Sequence, residues 1–357
     1  MSLESRLNRL FAGFGYQKFR MSKFEEYDLY AENKDFLTSQ QLITFTDLDG
    51  SLLALKPDIT LSIIKSTSAP RRVYYNEMVY RPRDHHYREI PQAGIECIGT
   101  VDLYREAEVI ALACKALACI DEDYVLRVSD VSLISAFLEE RQISSVYRNF
   151  IIDALAGKNA DYIRSLVEKK LVSEDAGAFL IDLIDLYLPL SEGVKKIQKM
   201  TETTACQPIA DHLKELTAVL AGFDVLDHVF LDFSLVNSME YYNGVIFQGA
   251  VRSIPTSVLS GGRYDRLLKK MGKPYDAIGF AVYMDVVENS RSMRRTHDGD
   301  LAVTYTAKDS PKQLARIIRR YSDAGIRVQA VRAEEFSEPE RWKEVMTMRE
   351  AKKEAGL

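Results

Sequence analysis

From about residue 144 to residue 222 the chain reads as helix throughout, while the segments on both sides read as strand. FIIDALAG, ADYIRSLVEKKL and GAFLIDLIDLYLPL space their apolar residues at helical intervals. Strand character stops after Val125–Val128 and resumes at Val225–Phe233, Tyr241–Val251 and Ala277–Tyr283. A sheet broken off and then resumed implies an α/β domain that carries a helical insertion. Composition allows the core this needs: of 357 residues, 46% are hydrophobic and 28% charged.

Residues 3–14 form an expected amphipathic helix, with Leu3, Leu7, Leu10, Phe11 and Phe14 on one face. Ile43–Leu55 alternates around Asp49-Gly50, the signal of a hairpin. A short helix is expected at 58–66. Arg72–Tyr80 and Ala93–Gly99 read as two antiparallel strands around a charged loop, Arg81–Glu89. A helix follows at 103–120. Ser129 or Asp130 then caps another through Glu140. Gly261-Gly262 reads as a turn into a helix ending at Lys270. Residues 300–331 give strand, helix and strand, one right-handed βαβ unit with Gly325 as the helix C-cap. The tail, 333–357, is charge-rich and holds the single Trp342. The expected division is 1–128 with 223–295 as one domain, 129–222 as the helical insertion, and 296–357 as a small C-terminal α/β unit.

Several function classes are poorly supported. A net charge of −5 argues against broad adhesion to nucleic acid or membrane. No apolar stretch reaches the ~18 residues of a spanning helix. The N-terminus lacks an apolar signal core, so a cytoplasmic protein is expected. Cys97, Cys114, Cys119 and Cys206 form no CxxC and read as buried reduced thiols. His85 and His86 are sequence neighbours, which point to opposite faces of a strand, so no metal site is expected. No phosphate loop, GxGxxG, GxSxG or HExxH occurs. No cofactor is expected.

What remains is a set of polar residues on apolar strands. The segments are LKPDIT (55–60), VYRPRDHHYREIPQAGIECIG (79–99), DFSLVNSMEYYNGVIF (232–247), SGGRYDRLLKKMG (260–272) and IGFAVYMDVVEN (278–289). Gln92, Gly94 and Glu96 alternate, so they share one strand face. A buried Gln and Glu need partners. Each segment alone is also readable as the outer face of an antiparallel sheet.

In order and spacing the five segments resemble the catalytic domain of histidyl-tRNA synthetase and its paralogue, the regulatory subunit of ATP phosphoribosyltransferase, over roughly residues 1–290. The resemblance implies an α/β (α+β) fold, a class II aminoacyl-tRNA synthetase-like antiparallel sheet with flanking helices. It also implies a histidine pocket. Asp58, Thr60 and Gln92 would face the α-amino group, Glu96 and Tyr242 the imidazole, with Tyr241 beside them, and Arg81 would take the carboxylate. A carboxylate suits an ammonium, and Glu with a Tyr hydroxyl can bracket the two imidazole nitrogens. Lys56 stands where the family has arginine, and Ile59 where glycine is common.

The adenylation side departs from the synthetase pattern. Asn237 replaces the arginine of the second histidine motif and offers no guanidinium fork. Val286 stands at the arginine of motif 3, and Tyr283 replaces a small glycine on the nucleotide floor. The resemblance therefore implies no catalytic residues. It points to a non-catalytic subunit that binds histidine and regulates a catalytic short-form ATP phosphoribosyltransferase subunit, in the first step of histidine biosynthesis. The alternatives are a divergent histidyl-tRNA synthetase and a histidine-binding paralogue with another partner. Gly15–Tyr30 occupies the place of motif 1, implying a homodimer within a hetero-oligomer. Residues 300–357 are too few for an anticodon-binding module of about 90–100 residues. With a pI near 5.7, tRNA is not an expected partner.

Overall fold

The computed structural model describes residues 2–37, 41–83, 85–236, 241–294 and 297–356. It divides into two compact units, Met1–Val287 and Glu288–Leu357.

The first unit opens with α1 (Leu3–Gly13), capped by the Ser2 side chain and buried along Leu3, Leu7 and Phe11. β1 (Gln17–Lys18), β2 (Phe24–Glu26) and α2 (Tyr27–Glu32) follow. β3 (Thr44–Thr46) and β4 (Leu52–Leu55) pair antiparallel around Asp49-Gly50. Gly50 sits at φ 89°, open to glycine. β2 pairs with the other edge of β4, giving a small sheet β2-β4-β3. After α3 (Thr60–Lys65) come β5 (Arg71–Arg83) and β6 (His86–Gly99). Their pairing runs out to Arg83 opposite His86, so the charged loop expected at 81–89 is mostly strand. Exposed polar side chains at a hairpin end leave the backbone ladder intact, which is why charge misled here.

α4 (Leu103–Ala118), β7 (Tyr124–Asp130) and α5 (Val131–Glu140) continue the core. Asp130 caps α5 by accepting from the Ser132 amide. α6 (Ser145–Ala156), α7 (Ala160–Glu168), α8 (Glu174–Ile184), α9 (Leu190–Thr201) and α10 (Gln207–Ala221) occupy the helical stretch. One strand interrupts it: β8 (Tyr187–Pro189), at a sheet edge where a proline is tolerated. β9 (Val229–Asp232), β10 (Val245–Val251), β11 (Leu259–Arg263), α11 (Asp265–Lys270) and β12 (Asp276–Tyr283) complete the first unit, which ends within α12 (Met284–Arg294) at Val287.

Two local expectations are corrected. Gly261 and Gly262 lie inside β11 rather than in a turn. A Cβ on Gly261 would come within 2.3 Å of the Gly279 carbonyl, so glycine here permits a close strand approach. Tyr241 and Tyr242 precede β10 instead of belonging to it, because ladder pairing begins only at Val245.

The large sheet has the order β1-β5-β6-β12-β11-β10-β7-β9-β8. It is antiparallel except at β1–β5 and β7–β9. A Cβ on Gly249 would strike Leu117 of α4, so Gly249 faces that helix and its neighbour Gln248 faces away. The polar face opposite α4 carries the site.

The second unit contains β13 (Gly299–Tyr305), α13 (Pro311–Asp323) and β14 (Val328–Arg332), the expected βαβ. Gly325 follows α13 at φ 80°. The tail is more than charged chain. It supplies a third parallel strand, β15 (Trp342–Thr347), and α14 (Met348–Glu354), opened by a capping box of Thr347 and Glu350.

Candidate functional site

A cavity of about 630 Å³ opens on the polar face of the sheet. Asp58, Thr60, Arg81, Gln92, Glu96, Tyr241 and Tyr242 all line it. Gln92 and Glu96 come from β6, Asp58 and Thr60 from the start of α3, Arg81 from β5. The Asp58 carboxylate accepts from the Leu61 amide at 2.9 Å, which fixes it at the first turn of α3. Just before it, the fully buried Lys56 pairs with Glu77 at 3.3 Å and anchors this crossing of the chain.

Glu96 is buried at the base. It accepts from the Thr60 hydroxyl at 2.9 Å and from the Tyr264 hydroxyl. Burial nevertheless pushes its carboxyl up to about 8, outweighing both hydrogen bonds, with the nearby Asp58 adding to the rise. Burial also raises Asp58, against the opposing Arg81, whose guanidinium lies 3.6 Å away. The Arg81 Nε donates to the Pro57 carbonyl at 2.5 Å. Tyr241 and Tyr242 meet edge to face at 4.7 Å, and Tyr241 lies 5.7 Å from the Tyr264 ring. Burial keeps the Tyr75, Tyr241, Tyr242 and Tyr264 phenols protonated. The result is a pocket end with two carboxyls, phenolic hydroxyls and an amide. It suits a small ligand with an ammonium and a polar ring.

Tyr264 was within reach of sequence reasoning, since it sits in the SGGRYD segment. Arg263 and Asp265 of that segment do different work. Arg263 binds Asp265 at 2.8 Å, Glu106 at 3.2 Å and Asp276 at 3.3 Å. Asp265 also accepts from the Ala277 amide at 3.0 Å. With His212 at 2.8 Å from Glu106, the residues Glu106, Arg263 and Asp265 line a second cavity of about 350 Å³ and join α4, α10 and β11. Of Arg263, Tyr264 and Asp265, only Tyr264 enters the main cavity. Arg127, Gln248, Ser260 and Tyr283 line it too. Arg127 and Gln248 were not anticipated as site residues, whereas Ser260 lies in a segment the sequence singles out and Tyr283 was expected on the nucleotide floor. The signal of Arg127 and Gln248 was the one that marked Gln92 and Glu96: a polar residue between apolar neighbours on a strand.

On the side that the resemblance assigns to adenylation, the Tyr283 hydroxyl is hydrogen-bonded to Ser260 and Tyr283 lines the cavity. Val286 packs against the core and does not line it. The neighbouring Asp285 holds Arg83 at 2.5 Å, tying the first turn of α12 to the β5–β6 hairpin within the first unit. Asn237 lies outside the described residues. Among the described residues no His/Cys/Asp/Glu group could hold a metal ion, and no helix is long and apolar enough to cross a membrane.

The family model for histidyl-tRNA synthetase matches residues 1–287. The chain belongs to this family. Within the histidyl-tRNA synthetase family it is similar to a protein named ATP phosphoribosyltransferase regulatory subunit from Thermoanaerobacter sp. (strain X514). The two are 30% identical over 332 residues, 90% of this chain and 83% of the relative. Solved structures of the family share the fold. One from Bacillus halodurans, described as an ATP phosphoribosyltransferase regulatory subunit/histidyl-tRNA synthetase, superposes with a TM-score of 0.75. It is 23% identical and covers 97% of this chain and 92% of its own. A chain from an ATP phosphoribosyl transferase complex of Thermotoga maritima gives 0.62 at 17% identity, covering 79% and 96%. These neighbours bear out the class II synthetase-like α/β fold.

Proposed function

We propose that the cavity binds free histidine and that the chain regulates a separate, short-form ATP phosphoribosyltransferase subunit without catalysing a reaction itself. The observation that carries the histidine reading is Glu96, buried between Thr60 and Tyr264 with Asp58 nearby. Asp58 and Gln92 take the ammonium, Arg81 the carboxylate, and Glu96 with Tyr242 the imidazole. The regulatory reading rests on the relatives' names and on Tyr283 and Val286 in the adenylation half. Histidine acts as an effector only if it binds two conformations of the assembly with different affinities. Calorimetry tests the pocket: histidine should bind, and histidinol and leucine more weakly. Equal binding of leucine and histidine would exclude the assignment.

Absence of adenylation is a separate expectation. With Val286 and Tyr283 at the motif 3 positions, histidine-dependent pyrophosphate exchange should be undetectable. Exchange near ~1 s⁻¹, within the ordinary enzyme range, would make the chain a ligase instead.

Self-association belongs to the same proposal. Phe24, Phe45 and Leu52 of the small sheet are exposed, and the Phe24 and Phe45 rings meet at 5.5 Å. An apolar surface of this kind next to the motif 1 segment suits a two-fold interface. Light scattering at micromolar concentration should give twice the chain mass before any transferase is added. A monomeric peak would reject the homodimer.

A further inference from the structure

The main cavity has two unlike ends. Gln92 and Glu96 stand on β6, whereas Arg127 stands on β7, four strand steps away across β12, β11 and β10. At ~4.8 Å a step this is about 19 Å of sheet. A single amino acid held by Glu96 and Asp58 does not span that distance.

The register explains what lines the far end. Gln92 opposes Tyr283, Ala281 opposes Ser260, Ser260 opposes Gln248, and Gln248 opposes Arg127. Directly opposed residues share a sheet face, so these side chains form one polar row. The Tyr283 hydroxyl reaches Ser260, which lays its ring across the floor between the two ends.

The charge at the far end is unbalanced. Arg127 lies 3.2 Å from one oxygen of Asp232, and Lys158 lies 3.2 Å from the other. Asp232 is almost fully buried and also accepts from the Ser234 amide at 3.0 Å. Two cations on one carboxylate leave one positive charge in excess. The Gln248 carbonyl oxygen accepts from Arg127, so what Gln248 offers a ligand is its NH₂. The guanidinium, this amide and the one hydroxyl proton that the Ser260–Tyr283 hydrogen bond leaves free make an end rich in donors, opposite in character to the carboxyl-lined end at Glu96.

We propose that the Arg127 end of the cavity is a second ligand subsite, separate from the histidine end, that takes a small oxyanionic group, a phosphate or a carboxylate. A guanidinium presents its planar fork to either group. Ala156, the last residue of α6, lines this end, and Lys158 follows two residues later. A ligand seated here touches the sheet and the helical stretch together. The proposal stands on the charge and register of β7, β10 and β11 and holds or fails independently of histidine binding.

Calorimetric titration of the full chain in chloride buffer tests it, with pyrophosphate as the phosphate probe and malonate as the carboxylate probe. One probe or both should bind saturably at one site per chain, and the tighter one identifies the group. Arg127→Gln should weaken that binding at least tenfold and leave histidine affinity within twofold. If Arg127→Gln melts early because Asp232 keeps only Lys158, Gln248→Leu gives the same readout with the ion pair intact. The proposal is overturned if neither probe binds, if the variants bind as wild type does, or if histidine displaces the probe competitively.

Discussion

Glu96→Ala should weaken histidine binding by ~1–3 kcal/mol, roughly 5- to 150-fold. Among the described residues, Glu96 is the one cavity carboxyl held by two side-chain hydroxyl donors, Thr60 at 2.9 Å and Tyr264. Its removal orphans both hydroxyls as well as the ligand ring. Glu96→Gln separates charge from shape. Burial pushes the Glu96 carboxyl up to about 8, from an ordinary value near 4.5. A raised acid stabilises the fold fully below its ordinary value and loses that contribution as pH rises through its folded value. The melting midpoint of the wild type should therefore fall between about pH 5 and pH 9 relative to that of Glu96→Gln. Thermal melts across that range, without ligand, check the sign. A constant offset between the two proteins would mean that Glu96 is ionised throughout.

Gly279→Ala should be the most damaging single methyl group that can be added to the site. Gly279 opposes Glu96 across β12 and β6. A Cβ there would stand 1.9 Å from Glu96 Oε2 and 2.4 Å from the Ile95 carbonyl oxygen. The backbone carbonyl cannot swing away as a side chain can, so the strand pair or Glu96 must shift. Overpacking of this kind costs ~1–3 kcal/mol. A lower melting midpoint is expected, together with loss of measurable histidine binding. Gly13→Ala is the control: its Cβ would meet nothing within 4 Å. Wild-type affinity in Gly279→Ala would show that the ligand does not use the Glu96 end.

The parts of the fold that were legible in the sequence are those where periodicity and chemistry agree. Leu3, Leu7 and Phe11 announce α1, and Asp130 announces the cap of α5. Gln92 and Glu96 were legible because carboxyl and amide groups on an apolar strand require a reason. Arg127, Gln248 and Ser260 carry the same signal, but each stands on a different strand, and only the register shows that they form one row. The β5–β6 tip was obscured because Arg81–Glu89 is charged, although charge on an exposed hairpin does not oppose pairing. Glycines mislead in the other direction. Gly261 and Gly262 are the residues of a turn, yet here they allow β11 to sit tightly against β12 and the Tyr242 ring. β15 was hidden because most of WKEVMT remains exposed, so its alternation never separates apolar from polar.

The most direct measurement is the rate of a short-form ATP phosphoribosyltransferase, assayed alone, with this chain, and with this chain under a histidine titration. The rate is predicted to rise when the chain is added and to fall as histidine fills the cavity. With Glu96→Ala the rise should persist while the histidine needed for inhibition increases by the factor seen in binding. Equal rates with and without the chain, or histidine inhibition unchanged by Glu96→Ala, would contradict a histidine-sensing regulatory role.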